Sequence, residues 1–303
     1  MPVKLHHLRD LLAIVDHGSI NAAARNLGIG QPALSRSIRE LEKDLGTPLL
    51  ERHTRGALLT PLGELFARRA ALAMGELRRG KDEIHQALGG MQGTVVTCLS
   101  SLAHLALLPD ALRPFNVRFP KVQLHIIEGI YSMVEAQIKN GLIDLYVGPS
   151  PPEGVTPELH IEKLFDNTGT VFCRRGHPLE NARSLAELGD VLWVTTRHIT
   201  HDESQYHEMF AQAGLPPPQL TVRAETALTW ITAIAYSDMM SISPRQWVSS
   251  PIVSHWLTPV PIQGVIAAPP IVLIRRAAVP LTPAAEFFCD LLQRAAEALV
   301  KAG

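Results

Sequence analysis

The densest set of side chains able to do chemistry lies between Leu27 and Leu45, in LGIGQPALSRSIRELEKDL. Gln31 and Ser35 can exchange hydrogen bonds with base edges, and Arg36 and Arg39 can pair with guanine or phosphate. Leu34, Ile38, Leu41 and Leu45, at i, i+4, i+7 and i+11, mark the buried stripe of a helix, and Ser35, Arg36 and Arg39 fall on its other face. An ordinary three-helix bundle with a solvated basic face would show the same stripe. The tight turn before it and the hairpin after it favour a helix that enters the major groove.

Two hydroxyl-rich loops form a second constellation. Ser100-Ser101, with Leu102 beside them, end the run TVVTCL and open a helix, and Thr195-Thr196-Arg197 follow VLWV. Hydroxyls and free N–H groups at the carboxyl end of a strand and the start of a helix favour an anion, which points to a small carboxylate. Plain helix capping by Ser101 accounts for a serine there equally well. Glu128, Gly129 and Tyr131 follow a second strand and Gly148-Pro149 a third, so they share this rim; turn formation is their alternative role.

His198, His201, Asp202, Glu203 and His207 make the one metal-like cluster. It lacks an HExxH, and a polar loop capped by Asp202 or Ser204 needs no metal, so no metal or other cofactor is expected. His198 is read instead as a partner for a ligand carboxylate. No GxSxG, GxxxxGK[ST] or GxGxxG occurs, and His104 beside Ser100 and Ser101 has no orienting acid, so no catalysed reaction is expected. A metal-dependent enzyme built on the histidine cluster is the rival reading.

The elements that must position these groups follow from periodicity. Leu5, Leu8, Leu11, Leu12 and Val15 predict a helix ended by Gly18; Ser19 caps a second with Ile20, Ala23, Ala24 and Leu27 inward; Gly28-Ile29-Gly30 turns into the third at Gln31-Pro32. After Gly46, LLERH and ALLT predict a two-stranded wing with a basic tip at Arg55. That arginine suits either a narrow minor groove or a generic phosphate contact. Thr60-Pro61 opens one long helix from Leu62 to about Leu88. Its Leu62, Leu65, Phe66, Leu72, Leu77, Ile84 and Leu88 need a partner, for which a copy of the same helix is the natural candidate. Beyond Gly89-Gly90 and Gly93, strands and helices alternate: TVVTCL, a helix from Ala103 to Arg118, VQLHII, a helix from Met133 to Asn140, and IDLYVG. A second set runs from Thr170 to Pro244 with VFC, VLWV, LTVRA and MMSIS as strands; PIVLIRR and a helix from Pro283 to Val300 return to the first. The alternation predicts a doubly wound, largely parallel sheet.

Composition agrees with two or more domains in 303 residues that are 46% hydrophobic. Residues 1–90 hold 13 Lys+Arg against 10 Asp+Glu, and the remainder 15 against 19, so only the first part suits a polyanion. Cys98, Cys173 and Cys289 show no metal or disulfide spacing, and no stretch reaches the ~18 apolar residues of a membrane span. A cytoplasmic protein without a leader or membrane contact is the expectation.

The chain resembles the LysR-type transcriptional regulators. The resemblance rests on AxxLxxxQPALSRxIRxLE, here Ala24 to Glu42, then GxxLxxRxxRGxxLTxxG, here Gly46 to Gly63, and on the length and lobe order of the whole chain. Leu50 stands where the family usually has phenylalanine. The resemblance puts Gln31, Pro32, Ser35 and Arg36 on the recognition helix, Arg52 and Arg55 on the wing and Thr60 at the start of the linker helix. It implies a winged helix-turn-helix over 1–60 and a dimerising linker helix over 61–90. Over 91–303 it implies an α/β effector domain similar to periplasmic binding proteins, with lobe I at about 91–165 and 268–303 and lobe II at about 166–267. It further implies a homotetramer on double-stranded promoter DNA, RNA polymerase as an eligible partner, and a small effector held between Ser100, Ser101, Leu102, Glu128, Tyr131 and Pro149 on one side and Thr195, Thr196 and His198 on the other. A solute-binding protein is a second rival, opposed by the first 90 residues.

Overall fold

The computed structural model describes residues 3–53, 56–90, 92–196, 202–264 and 266–302, without the side chains at 52, 53, 56, 57, 196, 202–205 and 302. It divides into two compact units, Met1–Ile84 and His85–Gly303.

In the first unit α1 (Leu5–His17), α2 (Ile20–Leu27) and α3 (Gln31–Leu45) each end on a glycine in the left-handed region. A side chain at Gly18, Gly28 or Gly46 would strain that turn, which is why the chain can reverse so tightly three times. Ser19 caps α2 by accepting from the Ala22 N–H at 3.2 Å, and Pro32 sits in the first turn of α3, where no N–H is needed. Leu11, Ile14, Ala23, Leu34, Ile38, Leu41 and Leu49 form the core. The strands β1 (Leu50–His53) and β2 (Gly56–Leu59) pair antiparallel as the wing. Glu42 fixes where the wing starts, its Oε1 accepting from the N–H of Leu49 at 2.8 Å and of Leu50 at 3.1 Å. Thr60 Oγ1 donates to the Pro48 carbonyl at 2.9 Å and accepts from the Gly63 N–H at 2.9 Å, capping α4 (Pro61–Ala87). Gly63 cannot carry a Cβ, which would collide with the Leu49 carbonyl oxygen.

The second unit runs β3 (Gln92–Leu99), α5 (Ser101–Ala106), α6 (Leu108–Arg118), β4 (Lys121–Glu128), α7 (Tyr131–Lys139), β5 (Leu145–Pro149) and β6 (Leu159–Arg174). It continues with β7 (Leu192–Thr196), α8 (Asp202–Gln212), β8 (Gln219–Ala224), α9 (Ala227–Ala235), β9 (Ser241–Pro244), the 3-10 turn Arg245–Ser249, α10 (Pro251–Ser254), β10 (Leu257–Val260), β11 (Ile266–Arg276) and α11 (Pro283–Ala302). A seven-stranded sheet has the order β10-β6-β11-β5-β3-β4, with β9 also on β6.

Two expectations need correction. The sheet is mixed: β3 pairs parallel with β4 and β5, and β7 with β8, but β6 and β11 pair antiparallel with all their neighbours. The chain crosses between lobes twice, out along β6 and back along β11, and the return direction forces the antiparallel ladder. The helix expected from Ala103 to Arg118 is two helices, separated at Leu107. Pro109 has no N–H to continue the α5 hydrogen bonds but fits the first turn of a new helix.

Lobe I packs Leu99, Phe115, Ile271, Leu273, Phe288 and Leu292 on one face of the sheet, and Cys98, Ile138, Tyr146 and Ile274 on the other. Phe288 and Leu292 come from α11, so the last helix does return to the first lobe. Lobe II is built on Trp193, Tyr206, Phe210 and Met240, with a second cluster around Phe172, Trp230 and Trp247.

Candidate DNA interface and effector site

Gln31, Pro32, Arg36 and Arg39 are exposed on α3, as a groove-reading helix requires. Ser35 is not: it is 7% exposed, buried rather than on the solvent face that its spacing predicts. The Gln31 Nε2 donates to Ser35 Oγ at 3.1 Å, one helical turn on, and the Arg39 Nε donates to the Ser35 carbonyl at 3.2 Å. Ser35 therefore holds Gln31 in place, and the exposed amide is the group left to face a ligand. Arg52 lies in β1 opposite Ala57; its side chain and all of Arg55 fall outside the described residues. Sequence reasoning missed His7, buried on α1 with its Nε2 3.7 Å from Glu40 Oε2 on α3. A histidine in a helical stripe gives no signal of such a partner.

In the second unit, Ser100, Ser101 and Glu128 stand at the ends of β3 and β4 and the start of α5. Ser100 caps α5, its Oγ accepting from the Ala103 N–H at 3.4 Å, while its own N–H donates to the Val147 carbonyl at 2.8 Å. Ser101 Oγ donates to Glu128 Oε1 at 2.6 Å. The same oxygen accepts from the N–H of Ala227, the first residue of α9, at 3.2 Å. One carboxylate thus joins the end of β4, the start of α5 and, across the lobes, the start of α9. Thr226, capping α9 by accepting from the Thr229 N–H at 3.2 Å, and Ala227 were not anticipated; the only sequence signal is a threonine before an apolar helix.

The remaining rim residues divide. Tyr131 and Pro149 meet around a hollow of about 50 Å³ with Tyr146 and Ser150. Burial raises the Tyr131 phenol above its ordinary value, with Glu135 adding to the effect, and burial likewise raises Tyr146, whose hydroxyl donates to the Pro149 carbonyl at 3.1 Å. Gly148 is glycine for this reason: a Cβ would collide with the Tyr146 hydroxyl. Leu102 is in the lobe I core with Leu99 and Phe115, a correction to its place on the rim; its apolar side chain is consumed by packing. Thr195 is buried in lobe II with Oγ1 3.5 Å from the Val222 carbonyl. The side chain of Thr196 and all of His198 fall outside the described residues.

Ser100 and Ser101 are not a nucleophile pair, since His104 turns Nδ1 to the Ser100 carbonyl at 3.1 Å and the Ser101 hydroxyl goes to Glu128. Cys98, Cys173 and Cys289 are buried thiols, each pushed up to about 12 chiefly by burial; beside Cys98 the Glu128 charge adds to it. Among the described residues no group of three or more His, Cys, Asp or Glu could hold a metal ion. His198 and His201 lie outside them, and so do the side chains of Asp202 and Glu203. No helix among the described residues is long and apolar enough to cross a membrane.

Comparison with known proteins gives the family and the fold. Residues 5–64 match the bacterial regulatory helix-turn-helix protein, lysR family, and residues 89–297 the LysR substrate binding domain. The chain is 25% identical to the HTH-type transcriptional regulator TdcA of Escherichia coli (strain K12), over 86% of this chain and 83% of that one. It is 30% identical to the uncharacterized HTH-type transcriptional regulator YybE of Bacillus subtilis (strain 168), over 77% of this chain and 79% of that one. Its fold is similar to the crystal structure of CbnR, a LysR family transcriptional regulator, with a TM-score of 0.72 at 21% identity over 97% of this chain and 99% of that one. Full-length CbnR complexed with its target DNA gives a TM-score of 0.72 at 22% identity, over 96% of this chain and 99% of that one. A lysR-type helix-turn-helix over 5–64 and a LysR substrate binding domain over 89–297 together make this chain a member of the LysR family of DNA-binding transcriptional regulators.

Proposed function

We propose that this chain binds promoter DNA as a homo-oligomer and alters its DNA contacts when a small molecule enters the cleft between the lobes of its second unit, without catalysing a reaction. Gln31, Pro32, Arg36 and Arg39 face the major groove, Ser35 positions Gln31, and Arg52 and Arg55 serve the wing. The exposed Leu62, Leu65, Leu77 and Ile84 on α4 supply the apolar face on which two copies pair. The DNA-bound structure of CbnR supports the first part of this reading.

The cleft reading is carried by one observation, the Glu128 carboxylate shared by Ser101 of lobe I and the Ala227 N–H of lobe II. A ligand entering between Ser100, Ser101, Tyr131 and Pro149 on one side and Thr195, Thr196 and His198 on the other acts on the groups that join the lobes, and differential contact with open and closed states is what shifts such an equilibrium. The same observation changes the chemistry expected of the ligand. α5 is six residues long, Ser101 already donates to a carboxylate, and a second anion would meet the Glu128 charge. A ligand presenting hydrogen-bond donors, an ammonium or hydroxyls, fits this rim better than a carboxylate. The test is a thermal-shift screen of matched amines, polyols and acids on the full chain and on Ser101→Ala. A stabilising amine or polyol whose effect is lost in the variant supports the cleft, and one that stabilises both equally places its site elsewhere.

A further inference from the structure

Away from the cleft, a hollow of about 700 Å³ opens where β6, the 3-10 turn Arg245–Ser249 and the end of α11 come together. That is within the ~300–1,000 Å³ of small-molecule sites. Phe165, Val248 and Leu299 give it an apolar lining. The charges at its edge are unequal. Lys163 is neutralised by Asp166 at 2.7 Å, whereas Arg245 forms no ion pair among the described residues. An apolar hollow with one uncompensated guanidinium matches a molecule with a hydrocarbon body and one carboxylate, since a planar guanidinium takes a carboxylate through two parallel hydrogen bonds.

Its position gives such a molecule leverage. Phe165 pairs with Ile271, and next to it Asp166 lies where β6 leaves its regular pairing with β11, opposite Pro269 and Pro270, before the ladder resumes at Asn167↔Ala268. This irregularity falls where the two strands cross between the lobes, and a break in the ladder is where a pair of strands bends most readily. The turn that carries Arg245 and Val248 also carries Trp247, whose cluster packs against Leu105 of α5, the helix that begins at Ser101. We propose that this hollow is a second effector site, distinct from the cleft, that takes a medium-chain aliphatic or aryl carboxylate and so biases the angle between the lobes.

The experiment is titration calorimetry of the full chain with octanoate, and with octylamine as the probe of opposite charge. Wild type binds octanoate and not octylamine. Arg245→Glu weakens octanoate by at least about tenfold, as expected for loss of one charge-assisted contact. Val248→Trp, which fills the hollow, abolishes binding, and Ser101→Ala leaves it unchanged. Unliganded melting temperatures verify that the variants fold, and Arg245→Lys, the milder change, regains part of the affinity lost in Arg245→Glu. No octanoate binding to wild type, equal binding of octylamine, or affinity untouched by both Arg245→Glu and Val248→Trp overturns the proposal. Loss of octanoate binding in Ser101→Ala alone moves the acid to the cleft and also overturns it. Failure of the cleft screen leaves these outcomes unaffected.

Discussion

Ser101 Oγ lies 2.6 Å from Glu128 Oε1, and that single oxygen also takes the Ala227 N–H at 3.2 Å, so a lobe I carboxylate closes the first turn of a lobe II helix. An internal anion therefore stands at the α9 N-terminus, where the unsatisfied N–H groups and helix dipole favour negative charge.

Removing that anion should loosen the contact between lobes. Glu128→Ala should speed amide exchange at the start of α9 and lower stability by about 1.5–3 kcal/mol, the usual worth of hydrogen bonds to a charged group. Acetate should partly restore protection in Glu128→Ala and leave wild type unchanged. Exchange mass spectrometry that finds α9 equally protected in variant and wild type contradicts the cross-lobe role.

At the DNA face, Arg36→Ala should cost about 1–3 kcal/mol on a specific site and little on random duplex if the guanidinium reads guanine. Ser35→Ala should act through Gln31, lowering discrimination at one base pair without changing the salt dependence, because no phosphate contact is lost. Fluorescence anisotropy on both duplexes separates the two; equal losses on specific and random DNA would make Arg36 a phosphate contact.

For assembly, Leu77→Glu or Ile84→Glu should place a charge in an apolar seam, giving smaller species by light scattering and weaker binding to paired half-sites. Both residues are exposed on α4, so neither change disturbs a core of the single chain. Unchanged oligomers in both variants would remove α4 as the interface.

The three thiols give a pH test. Burial holds them near 12 in the folded chain against an ordinary 9.0, so between those values the folded chain keeps protons that the unfolded chain loses. Their stabilising contribution is complete below about 9 and is lost as pH rises through about 12. Melting temperature should fall across that window, less steeply in Cys289→Ala, and a thiol reagent at neutral pH should label only unfolded chain. Rapid labelling of native protein would contradict the burial.

Much of the first unit is legible because its signals are local: glycines 18, 28 and 46 end helices, Ser19 and Thr60 begin them, and Leu34, Ile38 and Leu41 keep one period. What escaped depends on distant partners. Ser35 reads as exposed by spacing but is buried in the packed unit. Glu42 reaches the N–H groups of Leu49 and Leu50, and Glu128 meets an amide 99 residues away, which no periodicity encodes. The antiparallel course of β6 and β11 was hidden for the same reason, since strand direction is set by where the chain returns. Leu107 is a local miss: Pro109 was the available signal, and the apolar run across it masked the break.

Sequence-specific DNA binding is the central claim, and selection of binding sites from a randomised duplex pool by the full chain tests it most directly. Wild type should enrich a motif of two half-sites on one face of the duplex, and Arg36→Ala should enrich a degenerate version of it. A pool that stays random after repeated rounds, with duplex affinity independent of sequence, would contradict the account.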